Sequence, residues 1–495
     1  MLSPRLLLPL LLAAVGAGAV GVEQLLAEGH PLWGLSASRR AAFRGHGPVL
    51  AGAEQPSASL GAMASEAARR PPPPPSPPAR WFDEQVVDHF VPATERTHWS
   101  QRYYVNDTLW GGPGFPVFMY IGGESAESGH ALSGELFMSH LAEQHQALMV
   151  DVEHRFYGAS HPTKDMGDES IALLSSQQAL ADLAHFVSWF AATFGSGGTG
   201  DSPWVCFGGS YPGDLSAWFR LKYPHLVVGA VASSAPVLAV QDMPSYMDVV
   251  GRSLRRDGGD RCWEKVANAT AALANMLALG PSGEEAAMRH FGTCEPMTAL
   301  NAATFVGDAM GTLQGIVQGN HIYPGGNMTT ISIMCGQIEK ANTTLDALLP
   351  LSTPPKNGTH CRDNSYAKAI AQLRNATWGN SMDRQWTWQT CNEFGFFQSA
   401  GSEESPFHPL NSTLSVDYYL QQCKDAYKLP HPFTAVPTDF TNVRDIPYPR
   451  PSAWRSDRLS GARSRTTGRA RWAPRAWSCR TARWTRGTRS RWSSP

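Results

Sequence analysis

The sequence has no Cys-x-x-Cys pair, no histidine cluster with zinc spacing and almost no net charge. The first two absences argue against a zinc site. Beyond the N-terminus no apolar run reaches the roughly 18 residues that a membrane-spanning helix needs. The net charge of −1 hides an imbalance. Residues 451–495 hold twelve arginines against one acid, Asp457, a net +11 that leaves −12 on the first 450 residues. An acidic body with a short basic tail argues against nucleic acid as a partner. Hydrophobic residues make up 42% and charged residues 17% of the 495, which excludes a chain disordered throughout. That length allows two or three domains with ample core.

The N-terminus is a short basic stretch, Met1–Arg5, followed by an almost wholly apolar run from Leu6 to Val15 and then Ala17-Gly18-Ala19. This is the layout of a secretory signal peptide, with cleavage predicted after Ala19. Seven Asn-x-Ser/Thr sequons agree with that route: Asn106, Asn268, Asn327, Asn342, Asn357, Asn375 and Asn411. The eight cysteines then sit in an oxidising compartment. Cys262, Cys294, Cys335, Cys361, Cys391 and Cys423 allow three disulfides in any of fifteen pairings. Cys206, in an apolar run, reads as a buried small hydrophobe, and Cys479 is the odd one in the tail.

Residues 20–80 are rich in Ala, Gly, Ser and Pro and end in seven prolines within eight residues, 71–78. That composition favours extended polyproline, hence a propeptide or linker. From Trp81 the texture changes. Phe115–Ile121 and Ala147–Val152 read as buried strands. Ser175–Phe194 places apolar residues at helical spacing, at Leu180, Leu183, Val187 and Phe194. Trp204–Phe207 is a short strand, Leu215–Tyr223 a helix and Val227–Ala232 a further strand. Strand, helix, strand, turn, helix, strand predicts a parallel α/β sheet. From about 240 to 430 strand signals fade, and segments such as Ala267–Leu279 and Ala367–Leu373 are helical.

Phe207-Gly208-Gly209-Ser210-Tyr211-Pro212-Gly213 joins a strand to a helix, the setting of a nucleophile elbow. The serine backbone there is strained, so small residues two before and two after let strand and helix approach. Gly208 meets the first demand. Pro212 departs from the second, although Gly213 follows and proline is tolerated in a first helical turn. Ser210 is the candidate nucleophile, and the Tyr211 N–H a candidate oxyanion donor. Gly122-Gly123-Glu124 ends an earlier strand and could supply the other half of the oxyanion hole.

Several ordered motifs accompany the elbow. They include Trp81-Phe-Asp-Glu-Gln-Val-Val-Asp-His-Phe90, Tyr120-Ile-Gly-Gly-Glu124, Glu153-His-Arg-Phe-Tyr-Gly158, Leu174-Ser-Ser-Gln-Gln-Ala-Leu-Ala-Asp-Leu183 and Arg384-Gln-Trp-Thr-Trp-Gln-Thr-Cys-Asn-Glu-Phe-Gly-Phe396. Over roughly 81–445 the chain resembles the lysosomal Pro-X carboxypeptidase and dipeptidyl peptidase II family of serine peptidases. The resemblance implies an α/β-hydrolase fold with a mainly helical, disulfide-containing insertion that caps the site. It implies a Ser-Asp-His exopeptidase preferring proline or small residues next to the scissile bond, in a lysosomal or extracellular setting. It matches Ser210 to the nucleophile, and Tyr211, Gly122 and Gly123 to the oxyanion segment. Peptides are the expected substrates, with no cofactor, metal, nucleic acid or membrane span; a homodimer stays open.

The expected organisation is a signal peptide at 1–19, a linker at 20–80, hydrolase sequence at 81–240, the insertion at 241–430, the start of a second hydrolase part at 431–450, and a non-homologous Arg/Trp-rich tail at 451–495. The family's Asp and His come after the insertion. Here nothing after Pro447 resembles that segment, and His431 is the last histidine. Asp383, Asp417, Asp425, Asp439, His408 and His431 remain, none at a matching position. The alternative expectation is therefore an inactive or truncated glycoprotein of the same family.

Overall fold

The computed structural model describes residues 75–195, 197–320, 329–355, 360–379 and 382–428. Two strands open the fold, β1 (Arg80–Val86) and β2 (His98–Asn106), paired antiparallel. Then come β3 (Val117–Ile121), helix α1 (Phe137–His145) and β4 (Leu148–Val152). A short α2 (Asp168–Ile171) and the long α3 (Ser176–Thr193) lead to β5 (Trp204–Gly209), α4 (Tyr211–Lys222) and β6 (Gly229–Ser233). The sheet order is β1-β2-β4-β3-β5-β6.

The central strands are parallel, with Val117 opposite Leu148 and Met119 opposite Cys206. Every residue of β3, β4 and β5 is buried. Central strands covered on both faces read as continuous apolar runs, which is why they were legible in the sequence. Alternate residues serve opposite layers. Val117, Met119, Ile121, Val150 and Cys206 pack on Phe186 and Phe190 of α3 and Leu215 and Phe219 of α4. Phe118, Tyr120, Met149, Val205 and Phe207 pack on Met138, Leu141 and Ala142 of α1.

The sheet is mixed rather than parallel throughout. β1 and β2 were not marked by any apolar run, because their buried positions are interrupted by exposed ones. The strand expected from Phe115 starts at Val117, since Phe115 is exposed and Pro116 has no N–H to give to a ladder. The helix expected from Leu215 begins four residues earlier, at Tyr211.

After β7 (Val240–Asp242) the chain becomes helical: α5 (Ser245–Gly258), α6 (Asp260–Leu277), α7 (Pro281–Phe291), α8 (Ala299–Gln318), α9 (Ile331–Glu339), α10 (Tyr366–Arg374) and α11 (Asp383–Gln389). The chain then returns as β8 (Gly395–Phe397), which pairs with β7, Val240 opposite Gly395, before α12 (Val416–Ala426). The β7–β8 pair thus closes the helical segment at its base. Most of these helices share their own core, with Leu254, Val266, Leu273, Phe291, Phe305, Leu313 and Ile338 fully or nearly buried.

Three disulfides join Cys262 to Cys335, Cys294 to Cys361 and Cys391 to Cys423. Each closes a loop of 73, 67 or 32 residues, worth about 3–4 kcal/mol apiece by chain entropy. Cys206 is free and buried in β5, and burial pushes its thiol far above the ordinary range. Among the described residues no helix is long and apolar enough to cross a membrane. The signal peptide, residues 20–74 of the expected linker, His431, Asp439, Cys479 and the tail lie outside the described residues, as do Asn327 and Asn357, while Arg80, expected as the linker's last residue, opens β1.

Candidate active site

Ser210 stands between the end of β5 and the first residue of α4, with φ 61° and ψ −131°. A non-glycine residue in that region carries on the order of 1–3 kcal/mol of strain and persists only where its surroundings over-determine it. Here the Ser210 N–H donates to Ser233 O at 2.9 Å, and the Asp214 N–H donates to Ser210 O at 3.1 Å. A β-carbon on Gly208 would lie 2.2 Å from Pro212 O, so β5 and α4 can approach only over glycine. On the other side, a β-carbon on Gly213 would lie 2.9 Å from Ala235 Cβ. The position that Pro212 leaves unmet is thus met one residue later, by Gly213.

Pro212 is not idle. Its ring rests on Gly123, where a β-carbon would stand 2.4 Å from Pro212 Cγ. This contact brings the Gly122-Gly123-Glu124 turn against the elbow. Neither glycine amide is free, however. The Gly122 N–H donates to Val152 O at 2.9 Å, and the Gly123 amide bonds the Glu127 carboxyl. The expectation that both glycines offer their N–H groups therefore meets two competing acceptors. Tyr211 is differently placed: as the first residue of α4, its N–H has no intrahelical acceptor.

Behind the elbow lies a chain of buried polar side chains that sequence reasoning missed. Tyr211 Oη is 2.9 Å from His154 Nε2 and 2.9 Å from Gln389 Nε2. Tyr157 Oη donates to Gln389 Oε1 at 2.5 Å, and His154 Nδ1 lies 2.7 Å from Arg155 O. Tyr157, Tyr211 and Gln389 are fully buried. Burial lowers the His154 imidazole to about 4, so it is neutral at ordinary pH. The only signal for these residues was their membership of the quoted motifs; nothing in their spacing says that they meet.

Those motifs converge more widely. Arg155 makes two 2.6 Å bonds to Asp182 of α3, and His89 Nε2 lies 2.8 Å from the same carboxylate. Burial works to raise Asp182, but Arg155 overcomes it and the carboxyl sits below its usual range. Glu153 binds Arg102, the Glu127 and Ala159 amides and the Ser160 hydroxyl. Glu393 accepts from the Ser176 amide and hydroxyl at the start of α3. These contacts tie the segments that follow β1, β3 and β4 to one another and to α3.

Other acids near the elbow are poised differently. Asp214, one turn after Ser210, is wholly buried, and neither carboxylate oxygen finds a hydrogen-bond partner among the described residues. Burial, and then the charge of Glu124, raise it to about 9. Glu127 is raised to about 8 by burial and by Glu153, and Asp151 beside it is raised in the same way. Burial raises Glu393 to about 7.

Among the described residues no imidazole hydrogen-bonds Ser210 Oγ, and none of the later acids or histidines meets it. Asp383 opens α11, and Asp417 and Asp425 lie on α12. Asp425 accepts from Tyr366 Oη. His408 begins a short turn at 408–410. Among the described residues no group of three or more His, Cys, Asp or Glu side chains is arranged to hold a metal. Asn268, Asn342, Asn375 and Asn411 are exposed. Asn106 is half-buried and donates to Leu132 O.

Comparison with known proteins matches residues 85–444 to the family described as serine carboxypeptidase S28. The human thymus-specific serine protease is 35% identical over 370 residues, covering 70% of this chain and 68% of that protein. Its mouse counterpart is 34% identical over 368 residues, 71% of this chain and 70% of that protein. The human lysosomal Pro-X carboxypeptidase is 36% identical over 225 residues, 44% of each chain.

Proposed function

The chain belongs to the serine carboxypeptidase S28 family, and from that premise we propose that it is a luminal serine exopeptidase acting through an acyl-enzyme on Ser210. It hydrolyses peptide bonds next to proline or small residues. The observation that carries this reading is the strained backbone of Ser210 at the β5–α4 junction. Only a residue held at such a turn presents its hydroxyl at the rim of the sheet, next to the positive end of the following helix.

In the proposed reaction Ser210 Oγ attacks the substrate carbonyl carbon. The developing oxyanion is met by the Tyr211 N–H, and by Gly123 when Glu127 gives up that amide. The Oγ proton needs an imidazole acceptor, since a serine hydroxyl is a weak nucleophile without a base. The base and its orienting acid are left unassigned. Collapse of the tetrahedral adduct breaks the C–N bond as that imidazole passes the proton to the departing amine, and water then hydrolyses the acyl-serine, releasing the acid and restoring the Ser210 hydroxyl.

A secretory or lysosomal destination is supported by the N-terminal apolar segment, the sequons and the disulfides, and by a relative named for the lysosome. A second reading, an inactive glycoprotein of the same family, is favoured by one observation: among the described residues no imidazole hydrogen-bonds Ser210 Oγ.

A fluorophosphonate probe tests the choice. Labelling of the purified chain that disappears in Ser210→Ala supports the peptidase. A folded, secreted chain that takes no label and leaves Pro-containing peptides intact supports the inactive form.

A further inference from the structure

We propose that Gln389, backed by Tyr157, is a positioning residue that sets the oxyanion donor of Tyr211 from the helical insertion. The proposal rests on the reading of Tyr211 as an oxyanion donor. Its basis is a hydrogen-bond chain with one possible direction.

The direction follows from the end of the chain. His154 Nδ1 faces the carbonyl of Arg155, which can only accept, so Nδ1 carries the hydrogen. In a neutral imidazole Nε2 is then an acceptor, and it takes the Tyr211 hydroxyl hydrogen. The Tyr211 oxygen in turn accepts from Gln389 Nε2, and Gln389 Oε1 accepts from Tyr157 Oη. Turning the Gln389 amide over would leave Tyr211 with two acceptors and a single hydrogen. Every member is satisfied in one arrangement only, and a fully satisfied buried network of this kind specifies a unique geometry.

The chain also spans distant parts of the sequence. Gln389 ends α11 of the insertion, 178 residues after Tyr211 and 232 after Tyr157. The insertion grips the Tyr211 ring as well as its hydroxyl. Trp386 and Phe394 lie 5.8 and 5.3 Å from it, centroid to centroid. Tyr211 follows the strained Ser210 directly, so holding its side chain fixes the peptide plane that bears the Tyr211 N–H. A strained elbow needs such over-determination from outside its own strand and helix. The insertion is thereby coupled to the elbow itself.

The test compares Gln389→Leu, Gln389→Glu, Tyr211→Phe and the Tyr211→Phe/Gln389→Leu double variant of the full chain with the unaltered protein. Two quantities are read: the rate constant for fluorophosphonate capture of Ser210, and amide hydrogen exchange in the peptide covering 207–214. The expected result is capture slowed about 10–100-fold in each single variant, no more than the roughly 10²–10³-fold that outright loss of one oxyanion donor costs. Exchange in 207–214 rises, and the double variant is no worse than Tyr211→Phe alone. Where turnover is measured, kcat falls while KM holds. Unchanged capture and exchange in a folded Gln389→Leu protein overturn the proposal, as does simple additivity in the double variant. Should Tyr211→Phe fail to fold, the two Gln389 variants decide. If Ser210→Ala takes label as the unaltered protein does, the catalytic reading fails by itself. A chain that takes no label leaves the exchange measurement to decide the positioning claim.

Discussion

Pro212 lies so close to Gly123 that a β-carbon on the glycine would stand 2.4 Å from the proline ring. Gly123 follows the end of β3 and Pro212 sits in the first turn of α4, and their contact locks the glycine turn to the elbow. Gly123→Ala must push the proline away, with a loss of about 2 kcal/mol of stability and most of the probe capture by Ser210. Pro212→Ala on that background removes the obstructing ring and restores part of both. Melting temperature and capture rate check this; a single Gly123→Ala variant as stable as the parent would refute the contact's role.

The strain at Ser210 can be measured directly. Ser210→Ala and Ser210→Gly both remove the hydroxyl, but only glycine relaxes at φ 61°. The glycine variant is expected to be about 1 kcal/mol more stable than the alanine variant in urea unfolding. Equal stabilities would mean that the elbow is unstrained in solution.

The carboxyls held above their ordinary range set the pH dependence of stability. Asp214, Glu127 and Glu393, raised to about 9, 8 and 7, keep protons in the folded state that the unfolded chain releases above its ordinary carboxyl range. Their contribution is complete at acidic pH and is lost as pH rises towards those values, at about 1.4 kcal/mol per proton per pH unit. His154 works the other way. Its folded value of about 4 lies below the usual 6.5, so its contribution is lost as pH falls from 6.5 towards 4. The urea midpoint should therefore peak near the ordinary carboxyl range and decline from about pH 5 towards pH 9. Asp214→Asn should flatten the decline. A midpoint that rises between pH 6 and 9 would contradict it.

The Cys391–Cys423 disulfide lies just beyond Gln389 and ties that turn to α12. Replacing both cysteines by alanine should cost about 3 kcal/mol. It should also slow capture by Ser210, through the Gln389–Tyr211 bond. Removing Cys262–Cys335, which joins α6 to α9, should cost at least as much stability and leave capture unchanged. Differential scanning calorimetry with parallel labelling separates the two effects.

Much of this was readable in one dimension. The central strands announced themselves as apolar runs because both their faces are covered, and the elbow as a glycine-flanked serine because strand and helix must touch there. β1 and β2 were not readable as strands, since their buried positions are broken up by exposed ones. The glycine turn was legible as a turn, but not the acceptors already holding its amides.

What the sequence alone determined is the set of local demands: which segments must be buried, where the backbone must be strained, which side chains can carry a proton. Those follow from residue chemistry within a few positions. Only the tertiary structure decided which of these groups meet. Tyr157, His154, Tyr211 and Gln389 form one chain because the sheet and the insertion fold onto each other, with directly bonded residues up to 232 positions apart. A hydrogen bond has a range of about 3 Å in space and no preferred range in sequence.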